Sequence, residues 1–161
     1  MPLLIFHAKY FKMFKAVAYI FPHDYLNYAA LMNQIYALPG LKPASSRINL
    51  LGVSYGAHVP LVLKKKINAV SALSFSPTNF LEISRLPPSY FDSDWRKGVK
   101  IFYSRKIQWD VEFLRNFRGI HGPQFRSICT DVSNLDNSHS TLQTLYHNGM
   151  LDKIINNCTI H

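Results

Sequence analysis

Residues 48–63 read Ile-Asn-Leu-Leu-Gly-Val-Ser-Tyr-Gly-Ala-His-Val-Pro-Leu-Val-Leu. This is a short apolar strand, a turn carrying one serine, and an apolar helix, and no other stretch constrains the chain as much. The turn is Gly52-Val53-Ser54-Tyr55-Gly56, a G-x-S-x-G pentapeptide of the nucleophile-elbow type. A serine held between strand and helix sits in a cramped backbone, so the residues two places either side must lack bulk. The geometry yields an exposed hydroxyl at a helix N-terminus, where backbone N–H groups and the helix dipole favour negative charge. The pentapeptide alone recurs by chance; its placement between an apolar strand and an apolar helix gives it meaning.

The rest of the chain repeats that alternation. Residues 2–7 and 15–21 are apolar runs that read as buried strands, and Pro22-His23-Asp24 ends the second with Asp24 as a helix N-cap. Helical spacing of Leu31, Ile35 and Leu38 predicts a helix over 25–38, stopped by Pro39-Gly40. Strands are expected at 47–53, 69–75, 99–103 and 125–132. Helices are expected at 55–66, 110–117 and 140–155, the last broken near Gly149. The run Lys64-Lys65-Lys66 suits the negative pole of the helix that it ends. Residues 79–95, with Pro87-Pro88, read as irregular. The sum is one α/β domain over residues 1–161, with a mostly parallel central sheet of about six strands flanked by helices.

Composition closes off other classes. Hydrophobic residues make up 48% of the 161, which excludes disorder, and no apolar run approaches the ~20 residues of a transmembrane helix. The first residues lack a basic leader and a small-residue cleavage site, so no signal peptide is expected. Cys129 and Cys158 are too few for a disulfide framework and match no metal spacing; they read as reduced thiols in a cytoplasmic protein, with no metal and no cofactor implied. The net charge of +9 points to an anionic partner: an acidic glycan, a membrane surface in peripheral contact, or nucleic acid, although no specific nucleic-acid motif accompanies it.

Ligand sites in parallel sheets lie outside the carboxyl ends of the strands, and that rule directs the search for partners of Ser54. A serine needs a base, usually histidine, oriented by a carboxylate, and elbow-bearing chains run serine, acid, histidine. His139 lies in the loop after the sixth expected strand, at the carboxyl edge, whereas His121 falls at the opposite edge and His147 mid-helix. Asp110 follows the fifth expected strand and is the first choice for the acid, doubling as an N-cap; Asp136 and Asp131 stay open as alternatives, while Asp92 and Asp94 precede that strand at the wrong edge. The oxyanion donors expected are the backbone N–H of Tyr55 and one from the loop near Ala8 and Lys9. His58, one helical turn past Ser54, reads as a buried, hydrogen-bonded structural residue. Of the aromatics Tyr55, Phe80, Tyr90, Trp95 and Trp109, most read as core rather than as an acyl or sugar pocket.

In this order of elements the chain resembles the α/β-hydrolase superfamily from its third strand to its last helix, over nearly its whole length. The resemblance rests on residues 2–8 and 15–24, Gly52-Val53-Ser54-Tyr55-Gly56, Asp110 and His139. It implies a minimal version of that fold, lacking the first two strands and a large lid. A closer likeness is to small hydrolase-like domains associated with bacterial surface-polysaccharide biosynthesis. That likeness is carried by Leu73-Ser74-Phe75-Ser76-Pro77-Thr78-Asn79-Phe80, Asp94-Trp95-Arg96, Ile101-Phe102-Tyr103-Ser104, and His139 followed by Gly149-Met150-Leu151. It implies a serine esterase acting through an acyl-serine on Ser54, or a polysaccharide O-acetyltransferase using the same triad. The substrate would be a small acyl ester or an acylated glycan. The competing expectation is a non-catalytic domain that binds an acidic glycan through the basic residues between Arg96 and Arg126.

Overall fold

A computed structural model describes residues 26–42, 47–134 and 147–150. Within them, four strands form one parallel sheet in sequential order: β1 (Asn49–Val53), β2 (Ser71–Phe75), β3 (Val99–Tyr103) and β4 (Cys129–Asp131). The register aligns their carboxyl ends, pairing Val53 with Phe75, Phe75 with Phe102, and Tyr103 with Asp131. Helix α1 (Tyr28–Tyr36) precedes β1, and α2 (His58–Lys66) joins β1 to β2. Short helices α3 (Leu81–Ser84) and α4 (Ser93–Arg96) join β2 to β3, with a 3-10 turn, Pro88–Phe91, between them. Helices α5 (Gln108–His121) and α6 (Phe125–Ile128) join β3 to β4.

Right-handed crossovers between sequential parallel strands place every connecting helix on one face of the sheet. The core agrees. Leu61 and Val62 of α2, Ile83 of α3, Trp95 of α4, Phe113 and Phe117 of α5 and Ile128 of α6 cluster on Ala72, Val99 and Ile101, which alternate along the same sheet face. Leu31 and Ile35 of α1 pack with Leu63, Ile67 and Ala69 beside this cluster. On the other face Phe75 and Phe102 stack at 4.6 Å and are buried as well. Strand β2 is buried at every position, and its two serines, Ser71 and Ser74, hydrogen-bond to Asn49 Oδ1 and the Ala57 carbonyl.

Polar side chains pin the crossovers. The Trp95 indole N–H donates to the Leu61 carbonyl at 2.9 Å, and the Tyr90 hydroxyl donates to the Val62 carbonyl, so the segment between β2 and β3 is strapped onto α2. Helix α2 ends in a Schellman motif. Asn68 takes the left-handed position (φ 53°), Ala69 N–H donates to the Lys64 carbonyl at 2.9 Å and Asn68 N–H to the Lys65 carbonyl at 3.3 Å. The Lys64 side chain folds back into the core and donates to the Ala69 carbonyl at 2.8 Å, and burial pulls its pKa down.

The α/β class and the parallel sheet follow the sequence reading, and the expected strands at 47–53, 69–75 and 99–103 appear within two residues of their bounds. Four of the expected six strands lie in the described residues; those at 2–7 and 15–21 lie outside them. Three local expectations need correction. Helix α1 is capped not by Asp24, which lies outside the described residues, but by Asn27, whose side chain accepts from Ala30 N–H at 3.0 Å. The strand expected over 125–132 is half helix, because a turn at Phe125–Ile128 delivers Ile128 to the helix-side core before β4 begins at Cys129. The helix expected at 110–117 starts at Gln108 and runs to His121. Gly149 adopts φ 68°, as a helix break there requires. Among the described residues no helix is long and apolar enough to cross a membrane.

Cys129 enters β4 half-buried against the core, and desolvation pushes its thiol up to about 12. The thiolate is therefore scarce in the native state at neutral pH. The unfolded chain loses its proton first, so this group's contribution to stability is whole below the ordinary thiol range and declines as pH rises through it. Iodoacetamide at pH 8 should modify Cys129 far more slowly in the native protein than in urea, as mass spectrometry of the peptide would show; equal rates would contradict the burial.

Candidate active site

The elbow is built by a close approach. Strand β1 runs so near the start of α2 that a Cβ on Gly52 would lie 2.5 Å from the Gly56 carbonyl oxygen, 2.8 Å from Pro60 Cδ and 2.9 Å from Ala57 Cα. Only glycine fits. To turn within that space the chain puts Ser54 at φ 56°, a left-handed conformation that costs a non-glycine residue about 1–3 kcal/mol. Residues Ser54–Ala57 form a single 3-10 turn, and α2 continues from it with Pro60 in its first turn, where a missing N–H costs no helix bond. Ser74 of β2 donates its hydroxyl to the Ala57 carbonyl at 2.9 Å, tying the turn to the neighbouring strand.

His58 is fully buried under this turn. Its Nδ1 lies 2.6 Å from the Tyr55 carbonyl oxygen; a carbonyl only accepts, so Nδ1 carries the hydrogen. The ring meets Tyr55 and Tyr28 edge-on, with centroids 5.6 and 6.1 Å away. Tyr28 in turn donates to the buried carboxylate of Glu82 at 3.3 Å, and Glu82 accepts from Arg85 at 2.6 Å. Burial first and the Glu82 charge second raise the Tyr28 hydroxyl pKa, which keeps it protonated as a donor. Sequence reading found His58 in its structural role. It missed Glu82, whose segment was read as irregular; a lone carboxylate in that apolar stretch before Asp92 was the signal.

Asp110 stands at the end of β3, two strands from Ser54, at the same carboxyl edge. It is not the N-cap of α5, a position held by Ile107, but the third residue of the helix. Its carboxylate is fully buried, and Oδ2 accepts the Ser104 N–H at 2.8 Å, directly after β3. Asp131 is spent elsewhere: Oδ2 lies 2.8 Å from Arg105 Nε and Oδ1 accepts from Ser133 N–H at 2.9 Å. Asp92 caps α4 through Trp95 N–H and meets Lys65 at 2.6 Å, on the amino edge where the sequence put it. Ser54, Tyr55 and Asp110 are thus brought to one edge; Ala8, Lys9, His139 and Asp136 lie outside the described residues. Tyr55 and Trp109 are exposed on that edge, at 48% and 58%, while Trp95 is core.

No family model matches the chain, and neither does any curated protein or solved structure. The chemistry of the site is therefore argued from its geometry.

Three substitutions separate strain from fit. Gly52→Ala should destabilise the fold by about 2 kcal/mol or more, because the new methyl meets backbone on two sides. Ser54→Gly should be about 1 kcal/mol more stable than Ser54→Ala, since glycine relieves the left-handed strain that alanine keeps. Urea denaturation of the native protein and the three variants checks both.

Proposed function

We propose that the protein is a serine acyl hydrolase or acyltransferase whose nucleophile is Ser54, in the manner of the α/β-hydrolases that its sequence resembles. The observation that carries this reading is the left-handed Ser54, forced by Gly52 at the carboxyl end of a parallel strand and followed directly by a helix. A left-handed serine at the turn from strand to helix suits a hydroxyl presented to a substrate. The buried Asp110 carboxylate at the same edge supports an acid–base partner. Ser54 follows β1, and Asp110 is held beside the end of β3 by the Ser104 N–H, two strands along the same edge.

In the reaction, Ser54 Oγ attacks the ester carbonyl while His139 takes its proton. The negative charge that develops on the carbonyl oxygen meets the Tyr55 N–H, and a second donor is assigned to the loop near Ala8 and Lys9. Collapse breaks the ester bond and His139 returns the proton to the leaving alcohol. Water or a sugar hydroxyl then attacks the acyl-serine, giving a free acid or a new ester. Asp110 holds the imidazole tautomer throughout. Exposed Tyr55 and Trp109 suit the acyl or sugar part of the substrate, and exposed Lys106 beside them suits a negative charge on it.

A fluorophosphonate probe should label the native protein and fail on Ser54→Ala of equal fold. Asp110→Asn and His139→Gln should lower the labelling rate by about 10²–10⁴-fold. Well-folded protein that takes no label would defeat the enzymatic reading and leave glycan binding as the function to pursue.

A further inference from the structure

Among the described residues, charge is sorted between the two edges of the sheet. On the carboxyl edge, arginines pair with carboxylates: Arg85 with Glu82 and Arg105 with Asp131. On the amino edge they do not. Lys66 ends α2, Lys97 leads into β3, Arg118 stands in the last turn of α5 and Arg126 on α6 leads into β4, and all four are exposed. Among the described residues the carboxylates at that edge are Asp92, already paired with Lys65, and Asp94. Cations favour helix C-termini, which explains Lys66 and Arg118. Lys97, the C-cap of α4, and Arg126, on α6, belong to four-residue helices, whose short dipoles do not account for them.

We infer that the amino edge of the sheet is a docking surface for an anionic lipid bilayer. The cations come from four separate segments spread across the width of the sheet, roughly 14 Å for three strand spacings. They therefore form a field rather than a single file. Two apolar side chains flank it: Tyr36, the last residue of α1, and Ile120, in the last turn of α5, at 37% and 38% exposure. A cationic field bordered by a tyrosine and an aliphatic side chain matches a headgroup plane, with the apolar groups at the interface and the cations over the phosphates. A nucleic-acid strand would call instead for aromatic rings interleaved with the cations, and among the described residues Tyr36 is the aromatic exposed on this edge. Docking this way turns the carboxyl edge, with Ser54, toward water. The inference rests on the charge distribution and its two apolar neighbours, and it stands or falls independently of the chemistry at Ser54.

Vesicle flotation with the intact protein tests it. Vesicles of phosphatidylcholine and phosphatidylserine should carry the protein, and phosphatidylcholine alone should not; added salt should release it. Lys66→Ala, Lys97→Ala, Arg118→Ala and Arg126→Ala should each lower the partition coefficient about fivefold. Lys106→Ala, on the carboxyl edge, should leave it unchanged. The four variants lie on different segments, so a folding defect in one, seen by circular dichroism, leaves three to decide. Brominated lipid should not quench the part of the fluorescence that Trp109→Phe removes. Equal loss with Lys106→Ala, or quenching of Trp109, would overturn the assigned face. Failure to bind anionic vesicles, with tight binding of heparin or polyuridylate through the same four residues, would overturn the lipid and assign a soluble polyanion.

Discussion

The close approach of Gly52 to the start of α2 is the constraint on which the rest of the described structure depends. Because no Cβ fits there, the strand passes within backbone contact of the helix that follows it. The turn between them is reduced to one 3-10 step, and Ser54 absorbs the reversal in a left-handed conformation. Neighbours then hold the strained turn. Ser74 takes the Ala57 carbonyl, His58 takes the Tyr55 carbonyl, and Tyr28 closes against the His58 ring. Strain of about 1–3 kcal/mol persists only where several contacts oppose its release, and here they come from α1, α2 and β2 together.

The parallel register turns this local feature into an organised edge. With β1 to β4 in sequential order and their carboxyl ends level, each strand delivers the residues that follow it to one side of the molecule. Ser54 follows β1, Ser104 and the Asp110 that binds its N–H follow β3, and the Arg105–Asp131 pair ties the loop after β3 to the end of β4. The helices return to the opposite edge, and their C-terminal turns bring cations with them. Separation of a charge-compensated edge from a cationic one is thus a consequence of one-directional topology, sharpened by Lys97 and Arg126, which the helix termini do not require.

Much of this was legible in the sequence, for identifiable reasons. Short runs rich in apolar residues, bounded by turn residues, mark β1, β2 and β3. The elbow was legible because glycine at 52 and serine at 54 answer one steric demand. What the sequence hid was decided by tertiary contact. Phe125, Arg126, Ser127 and Ile128 have no helical signature, yet one turn is what places Ile128 in the core. Asn27 rather than Asp24 caps α1, since two similar capping residues three apart differ only in where the helix must start to bury Leu31 and Ile35. Glu82 became visible only once Tyr28, 54 residues earlier, was brought beside it.

The same edge also shows why two carboxylates of similar sequence position are not equivalent. Asp131 is partly exposed and held by a guanidinium and a backbone N–H, so both of its oxygens are committed to the loop that it stabilises. Asp110 is fully buried inside the first turn of α5, where the helix dipole favours its charge, and the bond to Ser104 N–H fixes its orientation. A buried, oriented carboxylate reorganises little when a neighbouring imidazole becomes charged, whereas an exposed ion pair must first give up its arginine. In the proposed reaction that difference, rather than proximity along the chain to His139, favours Asp110 over Asp131 as the group that steadies the base.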